Sequence, residues 1–400
     1  MASPGGVSPM RIAIAGYGSR GDVEPLLALG RELQRRGHVV LCAVPPNRLP
    51  LAAAAGLGAI AYGPNLDGLS GDGAAGAGPA PNPFAAMIQL VQQFSAATAD
   101  WAATLEALAE QADMLVTLVG DQGLAANATE YQGIPLVTLH FFPGQTAQLG
   151  GALGQVAAEA ENTQRLTFGL PEGAPPHRPE LELQVYDEVC FSAHPAATRV
   201  GSAASPCVGA LTLELPSADD DEVLEWIASG EPPVYFGFGS NLSVPAEHTV
   251  ALIDAVCMRL GLRGLICASW STDRASTDSD RICTVEEVNH ALVLPACRAV
   301  VHHGGAGTTA AALRAGTPQV ILTLGIEDQP LWGSVVTDLR VGTCAAFAET
   351  TADSLAAAIS EVLDADHRDR AREVAARMTA ASVSVERAAD LLEACPRATS

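Results

Sequence analysis

"RIAIAGYGSRGDVEPLLALGRELQRRGHVVLCAVPP", residues 11–46, decides the fold. Ile12 to Ala15 is a short apolar run ending in glycines, as in a buried strand entering a turn. Val23, Leu26, Leu27, Gly30 and Leu33 then recur at helical spacing, and Gly37 ends the pattern. "HVVLCAVPP" reads as the next strand, stopped by Pro45 and Pro46. Strand, helix and strand within about 35 residues form a βαβ unit, which requires a parallel sheet.

Working outward, residues 84–112 read as a long helix, and "DMLVTLVG" and "IPLVTLHF" as strands flanking helical "GLAANATEYQG". Residues 71–83, rich in Gly, Ala and Pro, read as a mobile loop, and 171–181 as an exposed turn region. A second α/β series follows: "PPVYFGFGS", a helix over 245–261, "RGLICAS", "RICTV", "CRAVVHHGG", a helix over 307–315 and "QVILTL". Helices are expected over 351–364 and 366–380, with a last one in "SVERAADLLEAC". The fold class is therefore α/β, with two doubly wound Rossmann-like units in tandem. The expected division is a first domain over 10–205, a linker over 206–222, a second domain over 223–380, and a C-terminal helix within 381–400 crossing back to the first.

Composition narrows the function. A chain of 400 residues, 48% hydrophobic, suits two α/β domains. A net charge of −23 argues against nucleic acid, which needs clustered Lys and Arg. It argues equally against a generally anionic membrane surface, and an anionic ligand must be held by local positive potential. Nine dispersed cysteines without CxxC spacing read as buried thiols in a reducing cytosol. No signal peptide or membrane span is read, so the expected location is cytoplasmic, with peripheral membrane contact left open. The oligomeric state is left unassigned.

Two glycine turns follow strands. Gly16-Tyr17-Gly18-Ser19-Arg20-Gly21 fits the dinucleotide pattern, but no acidic residue occurs between Glu32 and Asp67 to hold a ribose. Asp22, at the helix start, would also repel a pyrophosphate; its structural alternative is a helix N-cap. The second turn, His302-His303-Gly304-Gly305-Ala306-Gly307-Thr308-Thr309, opens a helix. Its unpaired N–H groups, the helix dipole, two threonine hydroxyls and a His303 ring N–H, or full charge, suit a phosphate. A Walker lysine is missing. Adjacent His302 and His303 point to opposite faces of a strand, which argues against a shared metal. Asp219, Asp220, Asp221, Asp278 and Asp280 read as solvated loop residues. No G-x-S-x-G elbow occurs.

With these residues in place, the chain resembles the GT-B glycosyltransferases of the inverting type that uses UDP- or TDP-sugars. Within that group it is most similar to vancomycin-group antibiotic transferases and to related actinobacterial lipid and sterol transferases. The likeness rests on "GYGSRGDVEPLLALGRELQRRGH", "GFGS" at 237–240, "VNH" at 288–290, "HHGGAGTT" at 302–309 and "DQP" at 328–330, and spans about residues 10–395. It implies two domains facing across a cleft. Asp22 matches the general base, with Ser19 beside it. Ser240, His303, Gly305, Gly307 and Thr308 match donor diphosphate contacts, and Asp328 and Gln329 match the pair that binds the donor sugar. Trp270, Val285 and Asn289 lie near the expected base pocket. The resemblance further implies no metal and no cofactor beyond the nucleotide-sugar co-substrate. A hexose or deoxyhexose would pass to a hydroxyl of a small, largely apolar acceptor, an antibiotic aglycone, lipid or sterol. The alternatives are a GT-B nucleotide-sugar epimerase or hydrolase, and a catalytically silent GT-B partner protein. Trp332 in "LGIEDQPLWG" is more similar to the sterol and lipid transferases.

Overall fold

The computed structural model describes residues 8–64, 83–144, 151–171, 177–192, 205–239, 246–268, 281–325 and 328–396. They divide into two compact units: Met1–Tyr186 with His194–Leu213 and Ala381–Ser400, and Asp187–Ala193 with Glu214–Ala380. The expected mobile loop at 71–83 lies, except for Pro83, outside the described residues, as do Asp278 and Asp280.

The first unit is built on β1 (Arg11–Ala15), β2 (Val39–Val44), β3 (Ala59–Ala61), β4 (Met114–Leu118), β5 (Leu136–His140) and β6 (Leu181–Gln184). All are parallel, in the order β3-β2-β1-β4-β5-β6. β1, β4 and β5 are buried almost end to end, because helices cover both faces of such a sheet. The helices of this series are α1 (Arg20–Arg35), α2 (Leu49–Ala54), α3 (Pro83–Gln111), α4 (Gln122–Gln132) and α5 (Gly151–Thr167); the single turn α6 (Glu188–Phe191) follows in the chain but belongs to the second unit.

The second unit holds β7 (Val234–Gly237), β8 (Gly264–Cys267), β9 (Ile282–Val285), β10 (Ala299–His302), β11 (Gln319–Thr323) and β12 (Gly342–Ala346), with helices α7 (Asp220–Ala228), α8 (Ala246–Leu260), α9 (His290–Val293), α10 (Ala306–Ala315), α11 (Asp328–Asp338), α12 (Ala352–Val362) and α13 (Ala365–Ala375). Its parallel order is β12-β11-β10-β7-β8-β9. Each sheet therefore reverses its winding once, between β1 and β4 in the first unit and between β7 and β10 in the second. At such a switch point the loops leaving the two central strands diverge and open a crevice.

The last helix, α14 (Ala381–Glu393), groups with the first unit and packs on α1. Arg36 donates to Asp390 at 2.6 Å and to Glu393 at 2.9 Å, while His38 meets Glu393 at 3.0 Å. The half-buried position of Arg36 makes these pairs stronger than surface pairs.

Several elements depart from the sequence reading. β3, β6 and β12 are short strands that periodicity did not mark, and β6 begins at the end of the expected turn region 171–181. The second unit claims Asp187–Ala193, and α7 starts at Asp220, inside the expected linker. Asp220 is not a solvated loop residue: it is buried and accepts from the amides of Ser217 and Asn289, at 2.7 and 2.8 Å. All nine cysteines are free thiols, but Cys344 is exposed on edge strand β12, and Cys267 and Cys283 are half-buried rather than buried. No helix among the described residues is long and apolar enough to cross a membrane.

Candidate active site

The first switch point presents the turn after β1. Ser19 is the N-cap of α1 and Asp22 its third residue, so the pair forms a capping box. The cap is thus Ser19, and Asp22 completes it from inside the helix. The Ser19 amide donates to Asp22 Oδ2 at 2.7 Å and the Ser19 hydroxyl to the same oxygen at 2.8 Å. Both bonds land on Oδ2. Among the described residues none lands on Oδ1, which leaves that oxygen to accept a proton. Gly18 permits this approach, because a Cβ there would lie 2.4 Å from Asp22 Oδ2.

Burial raises the Asp22 carboxyl above the ordinary carboxylate range; the Ser19 bonds and the Arg48 charge pull it down without cancelling the rise. A helix N-terminus acting by itself would lower it. Desolvation outweighs that dipole and makes Asp22 a better-matched base.

Two neighbours of Asp22 escaped the sequence reading. Arg48 follows β2, and Asp121 follows β4 at the same end of the sheet. Asp121 accepts the Tyr17 amide at 3.3 Å. Burial lifts its carboxyl to about 7, with the Asp22 charge adding to the rise and the Tyr17 amide hydrogen bond opposing it. A usable signal existed: an aspartate directly after a buried strand of a parallel sheet sits where such sheets place ligands.

The Asp121 shift has a defined sign. Its native value, about 7, exceeds the ordinary 3.8. Between those values the native state holds more protons than the unfolded chain, so this group's contribution to stability falls as pH rises through that window. Asp121→Asn cannot ionise, and its amide oxygen can still accept from Tyr17. Relative to the unchanged protein, its urea midpoint is expected to be higher at about pH 8 than at about pH 5. An equal difference at both pH values would remove Asp121 from the set of shifted groups.

The second switch point presents the turn after β10. His302 is fully buried. Its Nδ1 accepts the Gly304 amide at 3.2 Å, so its Nε2 carries the hydrogen and donates to Gln319 Oε1 at 2.8 Å. Burial pushes its pKa down to about 3, and it serves as a neutral structural tie. The His303 ring lies edge-on to that of His302, with 83° between the ring planes and centroids 6.4 Å apart. Its Nδ1 is buried and has no hydrogen-bond partner among the described residues. Burial also lowers the His303 pKa, opposed by the Gly237 carbonyl, so the ring is neutral rather than carrying the full charge the sequence allowed.

The cradle itself is backbone. Gly305 is the N-cap of α10 and has no side chain to cap it, which leaves first-turn N–H groups available. A Cβ on Gly305 would lie 2.6 Å from His303 Nε2, whereas one on Gly307 would meet nothing within 4 Å. Packing therefore explains Gly305 but not Gly307. Thr308 is half-buried at this end. Thr309 does not contribute as the sequence suggested: it is fully buried, and its hydroxyl donates back to the Gly305 carbonyl at 2.9 Å. Ser240, expected from the turn after β7, lies outside the described residues.

Asp328 and Gln329 open α11, just beyond the C-terminal end of β11. Asp328 is half-buried in the first turn. Gln329 is 2% exposed, and its Oε1 accepts the Leu324 amide at 2.6 Å. That bond fixes the strand-to-helix connection and takes up one of the two acceptor positions of Oε1. Trp332 is buried against Phe191, ring centroids 5.1 Å apart, so it is a packing residue here.

Of the three residues expected near a base pocket, Trp270 lies outside the described residues. Val285 sits in the core beside Tyr235 and Leu265. Asn289 caps α9: its Oδ1 accepts from Ala291 at 3.0 Å and its Nδ2 donates to the Glu214 carbonyl at 3.2 Å. The structure thus gives Val285 and Asn289 structural work.

Residues 12–117 match the family described as the glycosyltransferase family 28 N-terminal domain, and residues 269–394 match the erythromycin biosynthesis protein CIII-like C-terminal domain. An uncharacterised glycosyltransferase of Mycobacterium leprae is 44% identical, with 96% of each chain covered. The vancomycin aglycone glucosyltransferase of Amycolatopsis orientalis is 29% identical over 92% of this chain and 93% of its own. Among solved structures, the glycosyltransferase VinC in complex with dTDP superposes with a TM-score of 0.66 at 19% identity, covering 96% of this chain and 99% of that one.

Proposed function

The chain belongs to the GT-B glycosyltransferases, and on that premise we propose that it is a metal-independent, inverting enzyme that transfers a hexose or deoxyhexose from a UDP- or TDP-sugar to a hydroxyl of a small, largely apolar acceptor. The observation that carries this reading is the complementary chemistry at the two switch points. One holds a carboxylate with a spare oxygen and a raised pKa; the other holds an uncapped helix start beside an unpartnered histidine nitrogen. TDP is supported as the nucleotide by the dTDP bound in VinC, and a natural-product aglycone as acceptor class by the vancomycin aglycone glucosyltransferase.

The donor diphosphate would rest on the Gly305–Thr308 turn, where N–H groups and the dipole of α10 stabilise the charge that builds as it leaves. His303 would add a ring N–H to a phosphate oxygen. The acceptor hydroxyl would be held beside Asp22 and attack the anomeric carbon from the face opposite the leaving diphosphate. One C–O bond forms as the other breaks, Oδ1 takes the hydroxyl proton, and the configuration inverts. Thermal-shift and calorimetric screening of nucleoside diphosphates and nucleotide sugars tests the donor half. Binding by neither UDP- nor TDP-sugars would overturn it, and donor turnover without acceptor would favour the epimerase or hydrolase alternative.

His303→Ala is expected to weaken nucleoside diphosphate binding by roughly one to two decades, the worth of one hydrogen bond to a charged group. A nucleoside without phosphates should bind almost as before. Equal losses for both ligands would point to a collapsed turn instead.

A further inference from the structure

Among the described residues the chain passes between its two units at three points: after Tyr186, after Leu213 and after Ala380. Each passage is tied down just inside the second unit. Asp187 is buried and accepts the Thr379 amide through Oδ1 at 2.7 Å. The Thr379 carbonyl accepts from Arg314 Nε at 2.9 Å. Glu214 adopts the left-handed conformation, φ 50°, and its carbonyl accepts from Asn289. The surroundings desolvate the Arg314 guanidinium, and the carboxylates of Asp187 and Glu214 oppose that effect. Asp187 Oδ2 is buried without a hydrogen bond, so the Arg314 charge is its compensation.

Arg314 stands in the last turn of α10, and the first turn of that helix is the uncapped cradle. Ten residues of α-helix span about 15 Å and act as a rigid strut. We propose that Arg314 is a positioning residue that pins the three described passages of the chain to the far end of the cradle helix, so that the presentation of a bound donor is set through it without any contact to ligand. Removing the side chain removes the bond to Thr379 and the charge that faces Asp187 and Glu214, and leaves the cradle turn itself intact. The inference goes beyond the donor-and-acceptor reading, and its first test needs no substrate.

Amide hydrogen exchange on the unliganded full chain, followed by mass spectrometry, reads the ties directly. In Arg314→Met, exchange over residues 187–191, 214–217 and 377–380 is expected to rise by about tenfold or more, while strands β7 and β10 keep their protection. Arg314→Lys, which keeps a cation but lacks the Nε donor, should fall between the two and serves where the methionine variant does not fold. Both variants should keep their affinity for UDP and TDP by calorimetry while kcat for transfer falls. Unchanged exchange at the three passages in both variants would overturn the proposal. So would a rise spread evenly over the second unit, or a parallel loss of nucleoside diphosphate affinity, since either describes general loosening rather than pinned passages.

Discussion

Asp22→Asn is expected to lower turnover by roughly 10²–10⁴, the range for loss of a general base, with donor affinity unchanged. The substitution is nearly isosteric, and its amide oxygen still accepts from the Ser19 amide and hydroxyl, which now bind Oδ2 at 2.7 and 2.8 Å. The helix start therefore survives, whereas loss of a cap altogether costs about 0.5–2 kcal/mol. The asparagine cannot take a proton. Because burial raises the Asp22 pKa, the acid limb of kcat/KM in the unchanged enzyme should also lie above the ordinary carboxylate range. Steady-state kinetics with a fixed donor and a melting curve settle the matter together. Full turnover in a normally melting variant would reduce Asp22 to half of a capping box.

Asp328→Ala is expected to cut transfer by about 10²-fold, the scale of a small misplacement of the reacting carbon. Affinity for bare UDP or TDP should stay within about twofold, because the cradle of α10 is untouched, and affinity for the intact nucleotide sugar should fall. Gln329 Oε1 already accepts from the Leu324 amide. Gln329→Ala should consequently act on stability as well as on transfer: it removes a buried bond at the end of β11 and leaves the amide unsatisfied, a cost of about 1–3 kcal/mol. If Asp328→Ala lost nucleoside diphosphate and nucleotide sugar equally, the sugar-gripping role would be wrong. The donor would then have to lie differently on the second unit.

The βαβ opening, both glycine turns and most helices were legible because they are local. Apolar spacing marks a helix or a buried strand within a dozen residues, and a glycine turn declares itself within six. The strands that were missed are short, and one of them, "GTCAA" in β12, is half exposed on a sheet edge, so it carries no apolar run to read. The composition shift at 206–222 was visible too, but not that Asp220 within it is buried against the Ser217 and Asn289 amides.

The candidate site divides along the same line. Sequence by itself determined the residue types at both switch points, Ser19 and Asp22 after the first strand and His303 to Thr308 after β10, and those of Asp328 and Gln329 after the neighbouring β11. What each atom is free to do depends on partners far along the chain, and only the tertiary structure decided it. The Asp22 carboxyl is raised rather than lowered because burial outweighs the Ser19 bonds and the Arg48 charge. Asp121 joins the site only because parallel pairing sets β4 beside β1, about a hundred residues away in sequence. Thr309, Gln329 and Asn289 are drawn into structural bonds because a buried polar group left without a partner costs more than most ligand contacts return. Spacing can name the groups at a site; desolvation and long-range hydrogen bonding decide which of them remain free to react.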